Sequence, residues 1–295
     1  MKKWGLALGG GGILGLAHIG VLQLIEARGL RPSIVTGTSV GAIVAGLYAS
    51  GVDLSGVEDV AAKVLVQEDE PLDIRGEDAP HAAGAWSPIA PLALSGLIGG
   101  DMIEAAIDRV VRGARLTDAR MGLAITSVDI ITGSIVIFTN VAPRTRSSMR
   151  ALELAGRLYV TDAKVAEAIR ASVSIPGVFK PKRLRSWSLV DGGIRDMVPA
   201  YEARRMGAEE VVAVDLSLHV EKPQNVGNLV AILSRSFQLA SRETTERSLT
   251  DHASIILQPD VCECGLLTPT RCRELVQAGR TCAESHLPRL VAMLS

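Results

Sequence analysis

Residues 4–15, WGLALGGGGILG, place a short aliphatic run directly before four consecutive glycines and the start of a helical pattern. Trp4 to Leu8 has the length and apolar content of a strand that is buried on both faces of a sheet. The apolar periodicity from Ile13 to Arg28 predicts a helix, and Gly29 is suited to end it. A strand, a glycine loop and a helix in this order indicate a βα unit of a parallel sheet.

A second unit of the same kind follows. Ser33 to Thr36 predicts a strand, which enters the pentapeptide Gly37-Thr38-Ser39-Val40-Gly41, and Ala42 to Ser50 predicts a helix. Consecutive parallel strands joined by one helix usually lie side by side, with both βα loops at the carboxyl edge of the sheet. We therefore expect Ser39 to face the loop from Gly9 to Gly12.

Aliphatic runs alternate with helical patterns through the rest of the chain. Further strands are predicted at Gly122 to Asp129, Ser134 to Phe138, Ser188 to Val190, Glu210 to Leu216 and Ser254 to Leu257. Further helices are predicted at Val57 to Val66, Met102 to Val111, Ala163 to Ala171, Val226 to Leu249 and from about Thr270 onward. The alternation predicts an α/β fold around a parallel sheet. No change of composition marks a linker, so we expect residues 1–295 to form a single domain.

The composition excludes several classes of function. Of the 295 residues, 47% are hydrophobic, and 31 basic residues against 32 acidic ones give a net charge of −1. This apolar content argues against disorder, and the balanced charge without long like-charge runs argues against a nucleic-acid partner. No uninterrupted apolar run reaches the roughly 20 residues that span a bilayer, and no targeting segment stands out. We therefore expect a cytoplasmic protein.

The glycines from Gly9 to Gly12 carry the first chemical signal. They place unhindered N–H groups at the positive end of a helix dipole, where negative charge is stabilised. Gly10, Gly12 and Gly15 also satisfy the G-x-G-x-x-G pattern of dinucleotide-binding loops. That function needs a carboxylate at the end of the next strand, and the sequence has none there. The loop therefore favours a simple anion or oxyanion over a nucleotide.

Ser39 is the candidate nucleophile. Gly37 and Gly41, on either side, permit the strained strand-to-helix turn that exposes a serine hydroxyl at a sheet edge. A nucleophile beside a cluster of N–H donors is the arrangement that attacks an ester carbonyl and holds the resulting oxyanion. The pentapeptide alone is a weak signal, because such a match often marks an ordinary βα turn.

Asp191 is the favoured base toward Ser39. The strand before it ends at this residue, and Gly192 and Gly193 leave room for a second loop to approach. A carboxylate with a pKa near 4 is a poor base in water, so a dry pocket and fixed N–H donors would have to compensate. Asp196 is expected to be a turn or helix-cap residue.

A histidine base is the alternative. The histidines are His18, His81, His219, His252 and His286. Ser39, Asp191 and one of the last three follow the chain order of an α/β-hydrolase triad, but that fold presents its nucleophile later in a larger sheet. His18 is as compatible with packing in the first helix as with catalysis.

Several segments, taken together and in order, resemble the bacterial patatin-like phospholipases. They are Gly9 to Gly15, Ala17 to Leu22, Gly37 to Ala42, Ala168 to Ser172, Ser174 to Phe179 and Asp191 to Gly193. Their joint occurrence is far more specific than any single motif. The resemblance runs from about residue 4 to 216, and residues 217–295 would add a C-terminal strand and helices that complete the fold.

The resemblance implies a three-layer α/β/α sandwich with a mostly parallel central sheet. It also implies lipid acyl-ester hydrolysis by a Ser/Asp dyad through an acyl-enzyme, with no metal and no cofactor. By position, Ser39 is the nucleophile and Asp191 the base. The implied oxyanion hole is Gly10, Gly11 and Gly12, and the supporting glycines are Gly15, Gly37, Gly41, Gly192 and Gly193.

One position departs from the family pattern. The family usually has Arg or Lys just before the last glycine of the glycine-rich motif, and this chain has Leu14. The absence of this cation and the unfamiliar cysteine-bearing tail motivate one alternative to hydrolysis, a non-catalytic lipid-binding or regulatory protein that keeps the pocket. A second alternative, independent of Leu14, is an acyltransferase that uses the same site.

Two stretches bear on the expected partner, a lipid or acyl ester. Ala82 to Ile98, inside an irregular stretch from Gln67 to Gly100, is apolar and is either a mobile cover that meets lipid or part of the core. Arg144, Arg146 and Arg150 are either a contact for anionic head groups or a solvated face. Peripheral contact with the inner membrane surface is therefore an open expectation.

The cysteines give no clear assignment. Cys262, Cys264, Cys272 and Cys282 are spaced unlike a standard zinc site or disulfide framework. Reduced thiols are the favoured interpretation, with a terminal metal site as the alternative. The sequence does not indicate an oligomeric state.

Overall fold

The computed structural model describes residues 2–55, 100–143, 145–216, 229–261 and 269–294. Some expectations of the sequence analysis fall on other residues and so lie outside the described part. They are the helix Val57 to Val66, the segment Ala82 to Ile98, and the residues His81, Arg144, His219, Cys262 and Cys264.

The described ranges contain nine strands and nine α-helices. The strands are β1 (Trp4–Leu8), β2 (Ile34–Thr38), β3 (Gly122–Asp129), β4 (Ile135–Thr139), β5 (Arg157–Val160), β6 (Lys182–Leu184), β7 (Trp187–Asp191), β8 (Glu210–Val214) and β9 (Ile255–Leu257). The helices are α1 (Leu16–Ala27), α2 (Val40–Ala49), α3 (Asp101–Val110), α4 (Arg146–Leu154), α5 (Val165–Ser172), α6 (Ala200–Arg205), α7 (Leu229–His252), α8 (Pro269–Ser285) and α9 (Leu287–Leu294).

The central sheet is mostly parallel, and its main path has the strand order β5-β4-β3-β2-β1-β8-β9. The run from β3 through β2, β1 and β8 to β9 consists of parallel neighbours. Antiparallel pairing is confined to β3 with β4, β3 with β7, and β6 with β7. The loops that follow β1 and β2 therefore open at one shared edge, as the sequence predicts.

Helices cover both faces of this sheet. Leu6 and Leu8 of β1 point into a large aliphatic core with α1, α2, α5 and α8, whereas Ala7 points into a second core with α6 and α7. Successive strand residues face opposite sides of a sheet, so one aliphatic strand serves both cores. The α/β/α sandwich predicted through the family resemblance is confirmed.

Sequence periodicity located most elements to within a few residues and missed the polar ones. The sequence predicted no element between β4 and α5, but this segment contains α4 and β5. Both elements are largely exposed or half-buried, so they lack the aliphatic pattern by which strands and helices are recognised in a sequence.

Within the described ranges, no helix is both long enough and apolar enough to cross a bilayer.

Candidate active site

Ser39 and Asp191 meet because two strands end against the same neighbour. Strand β2 pairs with β3 up to Thr38 opposite Thr126. Strand β7 pairs antiparallel with the continuation of β3, and its last residue, Asp191, lies opposite Ser127. Ser39, which follows Thr38, and Asp191, which ends β7, therefore lie beside neighbouring residues of β3. The two strands that carry them run in opposite directions.

Ser39 has the strained backbone of a sharp strand-to-helix turn. Its φ of 56° and ψ of −124° lie in a region that L-residues rarely adopt. The turn depends on close backbone approaches, because a Cβ on Gly37 would lie 2.3 Å from Gly41 O, and one on Gly41 would lie 2.2 Å from Leu8 O. The supporting role of both glycines is therefore steric.

Asp191 is a buried carboxylate in hydrogen-bond contact with Ser39. Its Oδ1 accepts the Gly193 N–H at 2.8 Å, and it also accepts a hydrogen bond from the Ser39 side chain. Burial raises the pKa of Asp191 to about 6, and these two hydrogen bonds only partly oppose that rise. A carboxylate with a raised pKa is a better proton acceptor near neutral pH than an exposed one.

The glycine that follows Asp191 allows a close approach to β3. Gly192 packs directly on Thr126, where a Cβ on Gly192 would lie 2.4 Å from the Thr126 carbonyl oxygen.

The glycine loop approaches Ser39, but its amides are not equivalent. A Cβ on Gly10 would lie only 3.4 Å from the Cβ of Ser39, which places the loop beside the nucleophile. The Gly10 N–H, however, donates to the Met197 carbonyl at 3.0 Å. The amides of Gly11 and Gly12 meet no acceptor among the described residues.

The three amides of the expected oxyanion hole thus differ in this structure. The Gly10 N–H is engaged with Met197 and holds the loop. Gly11 and Gly12 remain as candidate donors. The amide of Val40, the residue after the nucleophile, also meets no acceptor in the described part of the chain and is a donor position that the sequence analysis did not consider.

His18 supports the glycine loop. It is fully buried in α1, and its Nε2 donates to the Gly9 carbonyl at 2.7 Å. Burial lowers the pKa of His18 to about 4, although the hydrogen bond to Gly9 opposes this effect. The imidazole is therefore neutral at ordinary pH and uses its proton to position the loop.

The described C-terminal histidines make their contacts with residues other than Ser39 and Asp191. His252 is the last residue of α7, and its ring packs edge-on against Tyr201. It lies shortly before β9 in the chain, at the amino edge of the sheet. His286 lies between α8 and α9, where its Nδ1 contacts the Cys282 carbonyl at 2.9 Å. Neither histidine makes a hydrogen bond with Asp191, whose partners in the described structure are Ser39 and Gly193.

One short segment at the end of α5 holds the backbones of both candidate catalytic residues. The Ser39 N–H donates to Ser172 Oγ at 2.8 Å, and the Asp191 N–H donates to the Ser174 carbonyl at 3.0 Å. The buried guanidinium of Arg170 donates in turn to Ser174 Oγ and to the Lys180 carbonyl. Arg170, Ser172 and Ser174 belong to the segments that carry the family resemblance, but the sequence alone predicted no role for them.

We expect a Ser172→Ala variant to react more slowly at Ser39 without losing its fold. The substitution leaves the buried Ser39 N–H without an acceptor at a strained turn, which costs about 1–3 kcal/mol. The rate at which a fluorophosphonate labels Ser39 should therefore fall on the order of tenfold. Thr245→Val, which removes a buried hydroxyl from α7, is the control. Equal labelling rates in the two variants would contradict this positioning role.

A buried charged cluster supports the loop after Asp191. Asp196 is fully buried and pairs with Arg157 at 3.4 Å, and Arg157 also pairs with the buried Glu202 at 2.7 Å. Burial raises the pKa of Asp196 to about 7, against the opposing charge of Arg157. The Asp196 carbonyl accepts the Thr38 hydroxyl at 2.8 Å. The expectation that Asp196 is a simple cap is wrong, because its carboxylate serves a core ion pair that joins distant segments.

Leu14, Gly15 and two of the cysteines also bear on the sequence expectations. Leu14, which stands where the family usually has a cation, is 5% exposed and belongs to the aliphatic core. The neighbouring Gly15 packs against Val40, where a Cβ would lie 2.3 Å from Cγ1. Cys272 is buried in α8 and Cys282 is half-buried. No group of three or more His, Cys, Asp or Glu in the described ranges is arranged to hold a metal ion.

Comparison with known proteins identifies similar sequences. A family model described as patatin-like phospholipase matches residues 6–204. An uncharacterized NTE family protein of Mycobacterium tuberculosis is 28% identical over 314 residues, which cover 97% of this chain and 46% of that protein. Lysophospholipase NTE1 of Candida albicans is 27% identical over 230 residues, which cover 77% of this chain and 14% of that protein. The chain thus spans less than half the length of these relatives.

A solved structure has a similar fold. The crystal structure of VipD from Legionella pneumophila matches with a TM-score of 0.55 at 14% sequence identity, over 98% of this chain and 67% of that chain. At this identity the likeness concerns the fold alone.

Proposed function

This chain belongs to the patatin-like phospholipase family, and from that premise we propose that it is a serine lipid acyl hydrolase. The observation that carries the proposal is the buried contact between the Ser39 hydroxyl and the Asp191 carboxylate, beside a glycine loop with unpaired amides in the described structure. The expected substrates are phospholipids, lysophospholipids or related acyl esters. The protein would need no metal or cofactor for this reaction.

The proposed reaction has two steps. Ser39 Oγ attacks the ester carbonyl carbon while Asp191 accepts the serine proton, and Asp191 returns that proton to the departing alcohol. This leaves the acyl group on Ser39. Water then attacks the acyl-enzyme, again with Asp191 as base, and the fatty acid leaves as Ser39 recovers its proton. One ester and one water give one acid and one alcohol.

Electrostatic stabilisation compensates for the weak base. Each tetrahedral intermediate carries a negative charge on the former carbonyl oxygen, and the candidate donors are the amides of Gly11, Gly12 and Val40. Removal of one such donor from a comparable site typically costs about 3–4 kcal/mol. Because Asp191 and Ser39 are almost fully buried, these donors act in a medium that screens charge weakly.

The proposal is tested with purified protein and two substrates. Medium-chain p-nitrophenyl esters should release p-nitrophenol, and lysophosphatidylcholine should release fatty acid. A fluorophosphonate should add to Ser39, as read by intact mass and peptide mapping. Protein that binds fatty acid but is never acylated by an activated ester would instead be a lipid-binding or regulatory protein, and predominant acyl transfer to an added alcohol would indicate an acyltransferase.

The pH dependence should report the ionisation of Asp191. Its carboxylate accepts the serine proton only when it is deprotonated, so kcat/KM should be constant above its pKa and fall about tenfold per pH unit below it. Since the pKa of Asp191 is raised to about 6, the acid limb should lie near that pH, measured with a soluble ester. His18, with its pKa lowered to about 4, cannot produce this limb.

A neighbouring carboxyl provides the control for this profile. The pKa of Asp196 is also raised, to about 7, but Asp196 touches neither Ser39 nor the glycine loop through its carboxylate. An Asp196→Asn variant should keep the acid limb near pH 6. Disappearance of the limb in that variant would show that Asp191 is not the titrating base.

We also propose that residues 217–295 belong to the same domain as the matched region. Strand β9 extends the sheet by pairing with β8. Helix α8 packs closely on α1, since a Cβ on Gly20 would lie 1.8 Å from the Val276 carbonyl oxygen and one on Gly279 would lie 1.9 Å from that of Ala17. Limited proteolysis should leave these segments attached as one resistant unit.

A further inference from the structure

The loop that joins β3 to β4 presents two large aliphatic side chains to solvent. Ile130 is 53% exposed and Ile131 is 72% exposed. Exposed isoleucines at adjacent positions of a tight hairpin are unusual, because turn positions normally carry polar residues or glycine. We call residues 130–133 the hairpin tip.

The hairpin tip lies at the edge of the sheet that carries Ser39 and Asp191. Strand β3 runs toward this edge, and Ser127 pairs with Asp191. Ile130 is three residues farther along, or roughly 10 Å at the usual strand rise. Arg195, which follows Asp191 closely in the chain, donates to the Gly133 carbonyl. The hairpin tip is thus attached to the loop that carries the proposed base.

Every backbone N–H of residues 130–134 has an acceptor inside the protein. Ile130 N–H donates to the Ser188 carbonyl, and Gly133 N–H donates to the Asp129 carbonyl. The Asp129 carboxylate accepts the N–H groups of Ile131 and Thr132, and Thr132 Oγ1 accepts that of Ser134. Water is not needed to satisfy these donors, which lowers the cost of bringing this backbone into contact with an apolar medium.

The carboxylate at the base of the hairpin tip remains charged. Burial works against the ionised form of Asp129, but the N–H of Ser188 and the donors of the hairpin tip outweigh it, so its pKa lies below the usual range. Its charge is held inside by these bonds, and Asp129 is only 1% exposed. The exposed side chains of the tip are therefore the two isoleucines and the uncharged Thr132.

The end of α4 adds an apolar and a basic side chain to the same edge. Leu154 is 83% exposed, and Gly156, two residues later, accepts the N–H of Ile135 at the base of the hairpin. Arg150 lies one helical turn before Leu154 on the same face and is exposed. Arg195, also exposed, contributes a second cation. Aliphatic side chains flanked by cations complement a bilayer interface that carries anionic head groups.

We propose that the hairpin tip, together with Leu154, Arg150 and Arg195, docks this protein on an anionic phospholipid surface. The inference deepens the proposed function, since a lipid hydrolase must meet its substrate in a membrane. Insertion of Ile130 and Ile131 to the level of the head groups places the Ser39 edge toward the bilayer. The hydrogen-bonded loop enters without a change of conformation.

Vesicle binding of a Ser39→Ala protein, which leaves lipid intact, tests the docking surface. The vesicles are an equal mixture of phosphatidylcholine and phosphatidylglycerol, with phosphatidylcholine alone for comparison. The double variant Ile130→Gln/Ile131→Gln should bind these vesicles at least about tenfold more weakly than the parent, because two aliphatic side chains no longer leave water on binding. Arg150→Gln should bind the anionic vesicles about fivefold more weakly and leave binding to phosphatidylcholine unchanged.

Leu239→Gln is the matched control. Leu239 is 55% exposed on α7 and belongs to none of the segments that form the proposed docking surface, and its variant should bind vesicles as the parent does. Equal binding by the parent and the double variant would overturn the proposal, as would a parent that binds no vesicles. A parent dimer that the double variant converts to monomer, without vesicle binding, would assign the tip to protein association and reject a lipid surface.

Enzyme assays separate this inference from the proposed function. When the double variant is made in protein that retains Ser39, it should hydrolyse a soluble ester at the parent rate and lose activity only on vesicles. Protein without any esterase activity, in which vesicle binding still depends on Ile130 and Ile131, would reject the hydrolase and retain the docking surface. Reduced soluble-ester activity in the double variant, with unchanged vesicle binding, would reject the docking surface and retain the hydrolase.

Discussion

A Ser39→Ala variant is expected to lose at least about 10⁴-fold in kcat/KM toward a soluble ester and to gain no mass with a fluorophosphonate. The variant removes the only atom that we propose to form the covalent bond to the acyl group. Water in the same pocket would have to replace it, with Asp191 as base and the amides of Gly11 and Gly12 still present. Substrate binding and the remaining amides should still support some hydrolysis, and this residual activity limits how far kcat/KM can fall.

Ser50→Ala is the matched control for this loss. Ser50 caps the other end of α2, where its hydroxyl donates to the Gly46 carbonyl at 2.7 Å. The variant removes the same atom from the same helix but far from the glycine loop, so activity should stay near that of the parent. Thermal unfolding of both variants shows whether the fold is kept. A Ser39→Ala protein with parent activity would end the proposed mechanism.

An Asp191→Asn variant is expected to lose about 10²–10⁴-fold in kcat/KM, the range that general-base catalysis usually supplies. The amide has nearly the volume of the carboxylate, and its oxygen can still accept the Gly193 N–H, so the loop after β7 should keep its position. What disappears is the group that accepts the Ser39 proton. Fluorophosphonate labelling of Ser39 should slow by a similar factor, because attack on phosphorus needs the same proton transfer.

Comparison of the Asp191→Asn and Asp196→Asn variants distinguishes the loss of a proton acceptor from the loss of any buried carboxyl group. Asp191 and Asp196 are buried carboxyls five positions apart, and burial raises the pKa of each. Asp196→Asn keeps the volume of the side chain, removes a buried charge and leaves Arg157 paired with Glu202, so the fold should be kept and kcat/KM per folded molecule should stay near the parent value. If the two variants lose activity equally, Asp191 has no special role as a base.

The sequence was most informative where chemistry depends on a local stretch of chain. The sharp turn at Ser39 follows from two flanking glycines, and its positive φ agrees with that expectation. The aliphatic strands β1, β2 and β8 were located because their residues are buried on both faces, and α4 and β5 were missed because theirs are not. Exposure to solvent removes the hydrophobic pattern that makes an element visible in a sequence.

The site was only partly predictable for a related reason. Chain order suggested that Asp191 ends a strand, but only its antiparallel pairing with β3 explains why it meets Ser39. The bond of the Ser39 N–H to Ser172 joins residues 133 positions apart. Likewise, the sequence could not indicate that Met197 takes the Gly10 amide.

The sequence by itself determined the two βα units, the strained serine turn, the glycine loop and the family to which they belong. These features are set by a few neighbouring residues, through steric limits on backbone torsion and the period of the apolar pattern. The tertiary structure alone decided which loop amides lack an acceptor among the described residues, how Ser172 and Ser174 hold the backbones of Ser39 and Asp191, and that Ile130 and Ile131 share an edge with them. Those relations depend on strand register and helix packing, which fix distances between segments that are remote in the chain.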